Sequence, residues 1–301
     1  MTVRQAKSLA KSELISSPTP SLDAQVLLEH ITGFDKTRLL LNRDFELSDE
    51  METRLKDALK KRKTGFPVAY ITARKEFFGY NFFVTPDVLI PKPDTELLVE
   101  LALNAIEEKF RSAPEKILAV CDMCAGSGCV AISIAKTLKE NSCARIPEFT
   151  LADISEKALL IAKKNAADLL PDFSPRFVQT NLFESIHDSF DIIVTNPPYV
   201  PHSQSLELLK DGRSEPLLAL DGDVDEKGEF SGSDDGLSLI RRLIPQCHAR
   251  LSQNGVLIME TGEYNALETA ELFKAAGFHN VRIERDINGM MRDIVGIKRA
   301  S

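Results

Sequence analysis

Residues 117–138 read ILAVCDMCAGSGCVAISIAKTL, and this stretch decides the fold. A short apolar run ends at Asp122, two glycines follow at 126 and 128, and apolar residues then recur at helical spacing from Val130. A strand that passes through a glycine-rich loop straight into a helix opens a nucleotide-binding α/β domain, because glycine lets the backbone turn sharply and approach a ligand closely. Gly126, Gly128 and Ala131 satisfy a loose G-x-G-x-x-A spacing, which alone is a weak signal.

Outward from that stretch the alternation continues. FTLADI (149–154), RFVQTNL (176–182), DIIVTN (191–196), GVLIME (255–260) and VRIERD (281–286) read as strands. Between them, EKALLIAKKNAADLL (156–170), LSLIRRLIPQCHARL (237–251) and ALETAELFKAAG (266–277) read as helices. The pattern predicts a mostly parallel sheet covered on both faces, a Rossmann-like domain with ligands at the carboxyl ends of its strands. The polar, glycine-rich segment 222–236 is expected to be a mobile surface loop.

Toward the N-terminus the pattern is helical: Thr2 to Ile15, Ser21 to Ile31, Lys36 to Leu41 and Asp49 to Lys63. Ser48 is the expected cap of the last, whose basic end Lys60–Lys63 reads as solvated. Alternation of aromatic and β-branched residues over Ala69–Val84 predicts a hairpin around Gly79-Tyr80-Asn81. The prolines of Leu89-Ile90-Pro91-Lys92-Pro93 demand extended chain, and Asp94 is expected to cap a helix running to about Arg111. The expected division is a helical substrate-recognition domain over 1–66, a hairpin linker over 67–90 and a catalytic domain over 91–301.

Composition narrows the class. Hydrophobic residues make up 43% and charged residues 27% of 301, as in ordinary globular proteins. The five cysteines are an odd set with three crowded into one segment, which does not resemble a secreted disulfide framework. No run approaches the ~18 apolar residues of a membrane span, so a soluble cytoplasmic protein without a membrane partner is expected. A net charge of -8 argues against direct binding of nucleic acid, whose phosphates favour a basic surface.

The chemistry is read from four places. Asp122 would repel a pyrophosphate but suits the ammonium of an amino acid, and Asp153, closing the next strand, can accept from both hydroxyls of a ribose. A ligand joining adenosine to an amino acid is S-adenosylmethionine. Cys124, Ala125, Gly126, Ser127 and Gly128 would cradle it, while Asn181 and Leu182 would flank the adenine. Asn196-Pro197-Pro198-Tyr199 then follows a buried strand. An amide nitrogen is a poor nucleophile because its lone pair is delocalised, so its NH2 group must be held and aimed. The Asn196 side chain and the Pro197 carbonyl would accept its two hydrogens on a stiff turn, and Tyr199 would offer a flat face. Cys121-x-x-Cys124 has no second ligand pair at zinc spacing, and no metal is expected.

Nearly the whole chain resembles the PrmC/HemK family of N5-glutamine methyltransferases. The likeness rests on residues 65–100, DMCAGSGCVAI, NPPYV, EPLLALDG at 215–222 and METGE at 259–263. It implies a class I methyltransferase domain with a seven-stranded sheet, a helical N-terminal domain and a connecting hairpin. It also implies methylation of the Gly-Gly-Gln glutamine of class-1 peptide chain release factors, the protein partner. By the same resemblance Cys124 to Gly128, Asp153, Leu182 and Asn196 contact the cofactor, and Asn196 to Tyr199 hold the glutamine. Two residues depart from the family pattern: Ala125 stands for threonine and Lys92 for arginine. The rival readings are a ribosomal-protein glutamine methyltransferase, an adenine N6-methyltransferase, and a non-enzymatic binding protein that has no need of Asn196–Tyr199.

Overall fold

The computed structural model describes residues 1–143, 145–210 and 215–299, which fall into two compact units. One contains Met1–Arg74 with the stretch from Glu207; the other contains Lys75–Leu206 and the chain from Glu215.

The first unit is helical: α1 (Val3–Glu13), α2 (Pro20–Thr32), α3 (Lys36–Leu41), α4 (Asp49–Lys63) and α5 (Val68–Thr72). Thr2 and Gln5 close a reciprocal capping box on α1, and Ser48 caps α4 as expected. Ala6, Ala10, Leu27, Leu28 and Leu55 form a fully buried core. Buried Asp23 accepts from Ser17 Oγ at 2.7 Å, Thr19 Oγ1 at 2.9 Å and Arg62 Nε at 2.7 Å. One member of the basic run is therefore structural, pinning the end of α4 to the start of α2. The alternation after Ala69 misleads for a few residues: Val68–Thr72 is a helical turn, and the hairpin of β1 (Arg74–Phe77) and β2 (Tyr80–Phe83), which from Lys75 onward belongs to the second unit, begins after it.

The second unit carries α6 (Glu96–Ser112), β3 (Ala119–Met123), α7 (Cys129–Glu140), β4 (Glu148–Asp153), α8 (Glu156–Leu169), β5 (Arg176–Gln179) and β6 (Phe190–Thr195). After α9 (His202–Lys210) come α10 (Ser238–Arg250), β7 (Leu251–Glu260), α11 (Ala266–Ala275), β8 (Phe278–Arg285) and β9 (Met291–Lys298). The seven-stranded sheet has the order β5-β4-β3-β6-β7-β9-β8 and is parallel except for β9. Period-two alternation sends Val120, Ile192 and Val194 to the face covered by α6, α7 and α8. Cys121, Met123 and Ile193 go to the face covered by α10 and α11.

Asp94 does not cap α6. It lies in a 3-10 turn, Pro93–Thr95, and pairs with Arg292 at 3.1 Å. The segment 222–236 is not a free loop either. Fully buried Asp223 accepts from the backbone N–H of Gly236 at 2.6 Å and from the Ser238 hydroxyl at 2.8 Å, and Phe230 stacks on His202 with centroids 4.5 Å apart. Its polarity serves these internal hydrogen bonds as well as solvent. Among the described residues no helix is long and apolar enough to cross a membrane.

Candidate active site

The strand order reverses between β3 and β6, since the chain builds outward through β4 and β5 and then returns to the other side of β3. Met123 and Thr195 are paired in register, so the Cys124 loop and Asn196 leave adjacent strands at the same level. Two motifs that lie about seventy residues apart in sequence thus share one crevice by topology alone.

A cavity of about 490 Å³ opens there. Of the residues singled out in the sequence, Asp122, Cys124, Ala125, Gly126, Ser127, Asp153, Asn181, Leu182, Asn196 and Pro198 line it, whereas Gly128, Pro197 and Tyr199 do not. A larger hollow, about 780 Å³, lies at the opposite end of the sheet beside Ala119, Glu148 and Phe190, the first residues of β3, β4 and β6, and holds none of these motifs.

The two glycines divide the labour of the loop. Gly126 (φ 54°) has no atom within 4 Å of where a Cβ would stand, so its bare backbone faces open cavity. Gly128 (φ 76°) starts α7 against the sheet, and a Cβ there would meet Ile132 Cδ1 at 2.9 Å and Ala162 Cβ at 3.1 Å. Asp122 lies one pleat on from Val120 and points at the same helix, where its Oδ2 accepts the N–H of Ala131 at 3.1 Å. Burial pushes its carboxyl up to about 7. It is thus a cap for α7 and a wall of the cavity at once. Asp153 accepts from Gly126 N at 2.8 Å with Oδ2 and from Ser155 N at 2.9 Å with Oδ1, and burial raises it as well. Each oxygen keeps a lone pair for a ligand hydroxyl. Asn181 donates to Glu184 at 3.1 Å, and Leu182 (φ 50°) presents an apolar surface. Burial pushes the thiols of Cys121 and Cys124 well above their ordinary range, so neither is a ready thiolate for a metal or a disulfide.

On the other side of the crevice, Asn196 Nδ2 donates to Thr95 Oγ1 at 3.1 Å, and Asn196 Oδ1 accepts no hydrogen bond among the described residues. The Tyr199 ring packs into the core instead of lining the cavity. Its hydroxyl donates to Glu260 at 3.0 Å, and its carbonyl accepts from Tyr264 Oη and Asn265 Nδ2, both at 3.1 Å. The Tyr199 face that the sequence offers for stacking is therefore an anchor for the turn. Lys92 reaches Glu215 at 2.7 Å, and Glu215 also accepts from Ile90 N at 3.2 Å, so the extended proline segment is tied to the start of 215–222.

Sequence reasoning assigned no role to Thr95, Asn165 or Glu260. Asn165, fully buried on α8, bonds both backbone groups of Phe83 and donates to the Ser127 carbonyl at 2.9 Å, joining the hairpin to the glycine loop. Thr95 lies within residues 65–100 and Glu260 within METGE, two of the segments that carry the family resemblance. Asn165 left no signal beyond being a polar residue on the buried side of an amphipathic helix.

A seven-stranded sheet with β9 reversed, a glycine loop after β3 and an acid closing β4 define the class: a Rossmann-like methyltransferase fold. It is shared with the T. thermophilus 16S rRNA N2 G1207 methyltransferase (TM-score 0.51, 18% identity, 75% of this chain and 50% of that one). The catalytic domain of hMettl16 has it too (TM-score 0.54, 15% identity, 84% and 83%). Family models described as PrmC N-terminal domain and Methyltransferase small domain match residues 5–72 and 99–211. The release factor glutamine methyltransferase of Burkholderia pseudomallei is 34% identical over 97% of this chain and 96% of its own. That of Koribacter versatilis is 32% identical over the whole of both. The chain belongs to the release factor glutamine methyltransferase family.

Proposed function

We propose that this chain transfers a methyl group from S-adenosylmethionine to the side-chain amide nitrogen of a glutamine in a release factor, the Gly-Gly-Gln glutamine of the class-1 factors. The observation that carries the reading is Asn196: it lines the cavity beside the glycine loop, across the point where the strand order reverses, with its NH2 engaged by Thr95 and its Oδ1 without a hydrogen bond among the described residues.

When bound, the cofactor supplies a methyl group on a positively charged sulfur. Asp122 offers negative charge for its ammonium, Asp153 accepts from its ribose, Gly126 gives it backbone clearance, and Asn181 with Leu182 borders its base. Buried Ser127 Oγ has no hydrogen-bond partner among the described residues, which suits a wall that meets a polar ligand. Asn196 Oδ1 accepts one amide hydrogen of the substrate glutamine, orienting the nitrogen lone pair; Pro197, which the sequence pairs with it as the second acceptor, lies outside the cavity lining. The methyl group would pass from that sulfur to the nitrogen held by Asn196, and the nitrogen would give up one proton to solvent. Positioning, not acid–base activation, dominates this catalysis.

The helical unit supplies substrate recognition in this reading, because one glutamine side chain carries too little surface to select a protein. A chain lacking residues 1–66 is expected to bind S-adenosylmethionine normally and to lose kcat/KM on the release factor; unchanged kcat/KM would remove that role.

The central test is mass spectrometry of a release factor after incubation with the protein and S-adenosylmethionine. One added CH2 on the Gly-Gly-Gln peptide, abolished by Asn196→Ala while cofactor binding persists, is the expected result. An unmodified release factor with tight cofactor binding would transfer the reading to a ribosomal-protein glutamine.

A further inference from the structure

Residues 259–265, Met-Glu-Thr-Gly-Glu-Tyr-Asn, carry the chain from the end of β7 through a 3-10 turn (Glu263–Asn265) into α11. Asn265 stands at the N-cap of α11, where an asparagine side chain ordinarily accepts from the first helical N–H groups. It makes no such bond. Its Oδ1 is taken instead by the hydroxyl of fully buried Thr261 at 2.5 Å, which turns its NH2 toward the Tyr199 carbonyl, 3.1 Å away. The Tyr264 hydroxyl donates to the same oxygen at 3.1 Å. A helix cap is thus forgone so that two neighbouring side chains can grip one backbone oxygen.

A carbonyl oxygen has two lone pairs, and two donors fix the plane of its peptide as one could not. The N–H of that same peptide, from Val200, donates to Leu220 O at 2.9 Å. Gly236 closes the third side, since a Cβ there would stand 2.0 Å from Tyr199 O. The turn needs such outside support. Pro197 and Pro198 lock their own φ and bring no N–H, so the link from Asn196 to Tyr199 is stiff but lacks two of the donors with which a turn ties itself in place. β6 holds its first end, and the direction of a stiff link held at one end is set at the other.

We propose that Tyr264 and Asn265 are positioning residues: by clamping the Tyr199 carbonyl they fix the far end of the Asn196–Tyr199 turn and with it the aim of Asn196 at the substrate amide. This rests on the glutamine-methyltransferase reading above. Gly262 is part of the same device. A Cβ on it would meet Tyr264 Cζ at 2.7 Å, although its φ of -71° suits any residue. One added methyl there must push the Tyr264 ring, 57% exposed and able to swing outward, away from Tyr199 without removing an atom of the clamp.

The test uses the full chain with Tyr264→Phe, Gly262→Ala, the two combined, and Asn265→Asp, which keeps the Thr261 bond and loses the donor. Tyr264→Phe and Gly262→Ala change an exposed ring and a position open to alanine, so both should melt close to the wild type. Each is expected to slow methyl transfer to the release factor about tenfold in single turnover, the order of one hydrogen bond. The pair should lose no more than either alone, because both undo the same bond. Asn265→Asp should lose about 10²-fold, as misplacement of a reacting group does. The KM for the release factor and the affinity for S-adenosylmethionine should stay within about threefold throughout. Wild-type rates in both single variants, losses that multiply in the pair, or losses confined to KM would overturn the proposal. A second readout needs no substrate: with carbonyl-¹³C tyrosine, the signal of Tyr199, identified among four tyrosines by its loss in Tyr199→Phe, should shift the same way in Tyr264→Phe and Gly262→Ala. A signal that moves in neither would refute the clamp even if the release factor is methylated. A signal that moves while the wild type methylates no release factor would keep the clamp and sink the substrate assignment instead.

Discussion

Adding one methyl group at each of two neighbouring glycines should produce opposite failures. Gly128→Ala forces an L-residue into the left-handed region at φ 76°, a cost of about 1–2 kcal/mol. It also drives the new Cβ to 2.9 Å from Ile132 Cδ1 and 3.1 Å from Ala162 Cβ, and such overpacking adds about 1–3 kcal/mol. The sum, roughly 2–5 kcal/mol, corresponds to a fall in melting temperature of roughly 5–15 °C for a unit of this size. Gly126→Ala carries only the backbone term at φ 54°, about 1–2 kcal/mol, because no atom lies within 4 Å of its Cβ position. That empty position faces the cavity, so the methyl should block the close approach of cofactor to backbone and weaken binding at least tenfold, about 1.4 kcal/mol. Differential scanning calorimetry and titration calorimetry with S-adenosylmethionine separate the two. Gly128→Ala should melt early yet bind well below its transition; Gly126→Ala should melt within a few degrees of the wild type and bind poorly. If Gly126→Ala bound normally, or Gly128→Ala melted unchanged, the division between a ligand-facing and a packing-facing glycine would be wrong.

Asp122 provides a pH test: a cationic group beside it stabilises its charged form, so cofactor binding should release protons and strengthen as pH rises toward about 7, then level off. Calorimetry at pH 6 in buffers of different ionisation enthalpy measures that proton release; none would place the ammonium elsewhere. Lys92→Ala leaves buried Glu215, among the described residues, with the Ile90 N–H alone, a cost of about 1–3 kcal/mol, whereas Lys92→Arg should be neutral or stabilising, as thermal melts would show. Asp223→Ala strips partners from buried donors at Gly236 and Ser238, so trypsin should cut at Lys227 far faster than in the wild type; equal rates would mean the loop is held by other contacts.

Much of this protein was legible one residue type at a time. Period-two and period-3.6 patterning declared the alternating strands and helices, because burial of one face is a local constraint that sequence spacing records. The positions of Asp122, Gly126, Asp153 and Asn196 at strand ends followed from the same pattern, and the cavity indeed lies on them. Patterning failed where local and tertiary preferences part. Val68–Thr72 alternates like a strand yet closes a helical turn, and the glycines and acids of 222–236 look mobile until Asp223 gathers their N–H groups.

What the sequence could not contain is direction. Whether Asp122 points at a helix or a ligand depends on the pleat of β3 against α7, and it does both. Whether Tyr199 offers its face or its hydroxyl depends on Glu260, 61 residues away, and the orientation of Asn196 depends on Thr95, 101 residues away. Such contacts join residues that no local spacing relates. The sequence by itself determined the elements and the chemical groups at their ends; the tertiary structure decided which lone pair each group shows to the cavity, because only the packed sheet brings the competing hydrogen-bond partners within reach.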